Sequence, residues 1–129
     1  MKLDIRKIPV SGTYTQEENV VLKDEFNSND FFNKCNSCNV KICASSCYER
    51  MIRVDFDIST NLNILDKESG NTFNKDFRIK DTVYYTEDEE LADSDDIDKI
   101  IILNKNMIID LDLDIYSLIV CNMPLNIDK

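Results

Sequence analysis

The sequence predicts an α+β fold, a mostly antiparallel β-sheet with one C-terminal helix packed on it, in a single domain over residues 1–129. Two observations predict the sheet. Ile52, Val54, Phe56 and Ile58 alternate with Arg53, Asp55, Asp57 and Ser59, and the alternation continues through Leu62 and Ile64. A period of two sends one set to a core and the other to water. Phe73, Phe77 and Ile79 follow a turn over 66–71, where Gly70 is free to take positive φ, and predict a return strand. The helix rests on a third observation that cuts both ways. Leu111, Ile115, Leu118 and Ile119 have helical spacing, yet Met107, Ile109, Leu111, Leu113 and Ile115 alternate, so periodicity slightly prefers a strand as far as Leu113.

In chain order, residues 3–8 predict a short edge strand with Leu3 and Ile5 on one face, and Ser11-Gly12 a turn. Val20, Val21 and Leu22 predict a second strand, and residues 27–30, Asn-Ser-Asn-Asp, a loop whose side chains satisfy their own backbone. A cysteine-rich segment occupies 35–47, in which Asn39-Val40-Lys41-Ile42 looks more like strand than turn. After the long strand and its return, Val83 and Tyr85 predict a further strand piece. An acidic loop over 86–98 divides the chain. Beyond it, residues 100–103 are a short β-branched run, 104–106 a turn and 107–109 a returning piece. If the last segment is a helix, Asp110 caps its start and Pro124 stops it.

Composition narrows the chemistry. The chain has 129 residues, 43% hydrophobic and 31% charged, the balance of a globular domain with one core. It contains no His, which removes His-based acid–base catalysis and His-ligated metal sites. A net charge of −10 argues against wrapping the whole surface in nucleic acid. No stretch reaches the roughly 18–20 apolar residues of a membrane span, and the opening MKLDIRKIPV lacks the apolar core of a secretory signal. The expectation is a soluble, cytoplasmic protein without a membrane partner. Five cysteines, four of them within 35–47, fit reduced thiols or a metal site better than a disulfide framework.

Three constellations are candidates for function. Cys35, Cys38, Cys43 and Cys47 supply four soft ligands for a zinc ion. The competing reading is a set of small, partly buried thiols. Their spacing approaches a zinc knuckle with His replaced by Cys, but the knuckle's glycines and aromatic are absent. A catalytic thiol is not expected. Lys41 and Arg50 are the cations placed to lower a thiol pKa, and no leaving-group chemistry or small-molecule substrate is visible, so the chain reads as non-enzymatic. Second, Lys34, Lys41, Arg50 and Arg53 surround the cysteines against Glu49 alone, with Tyr48 among them. This is a basic island able to meet phosphate and stack on a base, or simply the solvated ends of a strand. Third, Glu87, Asp88, Glu89, Glu90, Asp93, Asp95, Asp96 and Asp98 form a block without a base before Lys99. No EF-hand register fits it or the aspartates from Asp110, since the sixth position is never Gly. It reads as a solvated loop or as a landing site for a basic partner.

Two regions resemble the YceD family, the large ribosomal RNA subunit accumulation proteins of bacteria and plastids. One is Cys43-Ala-Ser-Ser-Cys47-Tyr48-Glu49-Arg50 followed by the alternating strand, similar to the family's Cys-x-Arg-Cys-Leu element. The other is the Ile-Asp-Leu start at 109–111, the apolar stretch from Ile115 and Pro124-Leu125, similar to the family's isoleucine-aspartate-leucine start, apolar helix and Leu-Pro ending. The match covers about 43–65 and 86–125. Ser46 stands where the family carries Arg, and the cysteine spacing is three rather than two. The resemblance selects a helix over about 111–122 and implies a non-catalytic accessory factor. Such a factor supports large-subunit ribosomal RNA accumulation or ribosome assembly by binding RNA or a basic ribosomal protein, with Cys43, Cys47 and Arg50 as the shared element. The alternatives are a small metal-binding or thiol-redox protein using residues 35–47, and a structural or protein-interaction module with no RNA role.

Overall fold

The alternation around Ile58 becomes the central strand of the sheet. The computed structural model describes residues 1–27, 29, 31–46, 51–86, 100–102 and 108–123. In chain order its strands are β1 (Lys2–Asp4), β2 (Tyr14–Asn19), β3 (Lys34–Ser46), β4 (Met51–Leu65), β5 (Thr72–Thr86), β6 (Ile100–Ile102) and β7 (Ile108–Asp110), followed by helix α1 (Asp112–Cys121). Strands β2-β3-β4-β5-β6 form one sheet and β1-β7 a second, two-stranded one. All pairings are antiparallel except β5 with β6, which is parallel. The expected α+β architecture, a mostly antiparallel sheet carrying a C-terminal helix, is therefore present.

Strand β4 shows why. Val54, Phe56, Ile58 and Leu62 are at most 2% exposed, while their odd-numbered neighbours look outward. Val40, Ile42 and Ala44 of β3 and Ile79, Val83 and Tyr85 of β5 complete the same inner face. The β4–β5 turn closes at Gly70, whose φ of 76° is the left-handed value expected there, with its N–H on the Asp66 carbonyl. Leu3, Leu22, Phe32, Leu111, Ile115 and Ile119 cover that face. Burying Ile115, Leu118 and Ile119 at about 2 kcal/mol each is what holds so short a helix. Tyr85 Oη donates to Asp114 at 2.7 Å, and Asn122 Nδ2 donates to Asp81 at 3.3 Å, tying both ends of α1 to β5. Asp110 Oδ1 accepts the Asp112 N–H at 3.0 Å, the capping role expected of it, although Leu111 occupies the cap position itself.

Four expectations need correction. The first strand ends at Asp4 because the Asp4 carboxylate accepts the Arg6 N–H and bends residues 5–7 into a 3-10 turn. Residues 20–22 are not a strand: Val20 and Leu22 are buried and Val21 is 90% exposed, but the strand before them stops at Asn19. The return strand and the piece at Val83 and Tyr85 are one strand. The segment at 108–110 pairs with β1, not with the run at 100–102. The expected turn at 104–106, the stop at Pro124, and Ser28 and Asp30 of the expected loop lie outside the described residues. Asn29 of that loop behaves as expected, its side-chain oxygen accepting from the N–H groups of Phe31 and Phe32.

Candidate functional site

Two cysteines three positions apart in a regular strand point to opposite faces. Here they share one. Cys35 stands opposite Leu62, Ser37 opposite Asn61 and Cys38 opposite Thr60, so β3 spends one extra residue between the cysteines. This β-bulge turns Cys35 onto the face of Cys38. Two backbone groups beside it take side-chain partners. Asn27 Oδ1 accepts the Cys35 N–H at 3.1 Å, and the Thr60 hydroxyl donates to the Ser37 carbonyl at 2.7 Å. On the outer face Asn36 Nδ2 reaches Asn61 and Asn74, each at 2.9 Å. Asparagine is depleted in strands, so the recurring Asn at 33, 36, 61, 63 and 74 was the available sequence signal for this irregularity. Periodicity counting passed over it and over Thr60.

The bulge creates a thiol pair of unequal partners. Cys38 is 3% exposed, whereas Cys35 is half-buried. Cys35 Sγ lies 3.4 Å from Thr60 Oγ1 and 3.4 Å from the Ser37 carbonyl. The hydrogen bond from the Cys38 thiol brings Cys35 down to about 6, with burial opposing and the Thr60 hydroxyl assisting. The same hydrogen bond pushes Cys38 up, together with burial and the Cys35 charge. Between the two thiols, the hydrogen bond favours the charge on Cys35 over Cys38. An open groove of about 680 Å³ lies over the pair, lined among others by Val20, Leu22, Thr60 and Phe77.

Of the other two expected ligands, the structure describes Cys43. Cys43 faces outward opposite Asp55, on the other side of the sheet from Cys38, so the structure does not bring it to Cys35 and Cys38. Cys47 lies outside the described residues. Among the described residues no three of Cys, Asp or Glu converge as metal ligands.

The basic island is spread out. Lys34 pairs with Asn63 and Arg53 with Ser45, at opposite ends of β3 and roughly 35 Å apart by strand rise. Arg53 Nε bonds Asp55 at 3.1 Å. Across the middle of the outer face, Glu17, Lys41, Asp57 and Lys80 stand in register on four neighbouring strands, alternating in sign. Arg78 adds a two-point contact to Asp57 at 3.1 and 2.9 Å, which holds that carboxyl below its usual range. Tyr48, Arg50 and the acidic residues from Glu87 to Asp98 lie outside the described residues. No described helix is long and apolar enough to cross a membrane. No family model, curated protein or solved structure matches the chain.

Proposed function

We propose that this chain is a non-catalytic accessory factor of the cytoplasm, resembling YceD proteins, that supports large-subunit ribosomal RNA accumulation by holding a basic ribosomal protein. The observation that carries the reading is helix α1 at Asp112–Cys121. Periodicity slightly preferred a strand as far as Leu113, and only the resemblance selected a helix. Between the two modes of action, the charge layout favours a protein partner over RNA. Phosphate binding gains from clustered, unneutralised cations. On the outer face of the sheet Arg53 and Arg78 are paired with aspartates and Lys41 stands between Glu17 and Asp57. The acidic run from Glu87 to Asp98 offers the opposite charge at high density, which suits a lysine- and arginine-rich protein.

Capture from cell lysate, with and without ribonuclease, tests this. Ribosomal proteins should be recovered in both samples. Replacing the eight acids by their amides should abolish recovery, as should raising the salt several-fold. Recovery of neither ribosomal proteins nor ribosomal RNA precursors would remove the proposal. Recovery abolished by ribonuclease would transfer it to RNA.

A further inference from the structure

The thiol pair stands apart from this binding role and supports an inference of its own. We propose that Cys35 is a site of reversible S-thiolation, at which the sulfur held beside the Cys38 thiol and the Thr60 hydroxyl takes up a low-molecular-weight thiol from its disulfide. Three features of the geometry point there. Cys35 is the half-buried member of the pair, set against an open groove with room for a tripeptide-sized group. Its sulfur has hydrogen-bonding neighbours to hold an anion: Cys38, and Thr60 at 3.4 Å, whose proton turns from the Ser37 carbonyl to the thiolate when Cys35 ionises. The third feature is the spacing of the pair. Cys35 and Cys38 sit opposite Leu62 and Thr60, one two-residue step along β4, roughly 6.8 Å of strand rise. That is the long limit for the Cα atoms of a disulfide. A disulfide at the commoner, shorter Cα separation would have to draw in the bulge, which the Asn27 and Thr60 hydrogen bonds hold. Cys38 is thus a hydrogen-bond donor to Cys35 and not a resolving thiol.

The step balances with a disulfide RSSR as oxidant. The Cys35 thiolate attacks one sulfur, a Cys35–SR bond forms and the RS–SR bond breaks. The departing RS⁻ takes a proton from solvent at neutral pH. Cys35 is oxidised, and one half of the disulfide leaves reduced as RSH. Excess thiol reverses the exchange. A thiol that ionises near 6 is almost wholly thiolate at pH 7 yet remains nucleophilic, whereas an ordinary exposed thiol is mostly protonated.

The test uses the reduced full chain with oxidised glutathione, and fragmentation of the peptide over 35–41 to assign the sulfur. Glutathione should appear on Cys35 and be removed by excess reduced glutathione. In parallel, iodoacetamide labelling followed from about pH 5 to 9 should place the Cys35 midpoint near 6. Near pH 6.5 it should label about tenfold or more faster than exposed Cys121. Cys38→Ala should move that midpoint up towards the ordinary thiol value while leaving Cys121 unchanged, and Thr60→Val should move it up by less. Labelling of Cys35 no faster than Cys121, glutathione on Cys121 in preference, or a Cys35–Cys38 disulfide as the product would each overturn the proposal. These three outcomes are read on the wild-type chain, so they hold even if a variant fails to fold.

Discussion

At the scale of the residue, the least expected contact is the one between Tyr85 and Asp114. Tyr85 is fully buried and its hydroxyl donates at 2.7 Å to a carboxylate that is itself half-buried. Burial raises the Asp114 carboxyl above its usual value, Asp110 raises it further, and the Tyr85 hydrogen bond only partly offsets this. The native state then binds more protons than the unfolded chain. The stability from this group is full below its ordinary value of 3.8 and is lost as pH rises through the raised folded value. Asp114→Asn should therefore flatten the fall in stability from about pH 4 upward. Tyr85→Phe should cost about 1–3 kcal/mol at pH 7, because a buried carboxylate loses its donor, and less at pH 4. Urea unfolding at the two pH values checks both, and equal losses for Tyr85→Phe at pH 4 and pH 7 would contradict the account. A reader of the sequence sees Tyr85 and Asp114 as unrelated letters, since nothing local announces a hydrogen bond between positions 29 apart.

At the scale of the element, legibility followed regularity. Strand β4 was readable because every second side chain obeys one face, and the turn after it because Gly70 supplies the positive φ. An added Cβ at Gly70 meets no atom within 4 Å, so Gly70→Ala carries only the backbone cost of that φ. It should lower stability by about 1 kcal/mol, and thermal unfolding showing no loss would mean the turn relaxes. Strand β3 was only half readable. Its 40–44 stretch alternates, but the bulge between Cys35 and Ser37 breaks the count and reverses which face Cys35 joins. A four-cysteine zinc site needs Cys43 beside Cys35 and Cys38, and the strand puts Cys43 on the other face. Residues 20–22 misled for the converse reason: their burial alternates like a strand's, while the ladder of β2 ends before them.

At the scale of the whole molecule, β4 is central, paired along its length with β3 and β5, and Ile58 lies fully buried at its middle. Ile58→Ala should cost about 2–5 kcal/mol, a large part of the roughly 5–15 kcal/mol that keeps a domain folded. Val10→Ser, at a site 99% exposed, should change stability by no more than about 0.5 kcal/mol. Denaturant midpoints compare the two, and similar values would place the core elsewhere. By itself the sequence determined the sheet class, the long strand, its face and its turn, because a period of two and a glycine at a turn act over a few neighbouring residues. Only the tertiary structure decided that β7 closes onto β1 and that β6 lies parallel to β5. It alone decided that Cys35 stands with Cys38 while Cys43 faces away. Those outcomes depend on register and on which distant segments can bury one another, and no local pattern carries that information.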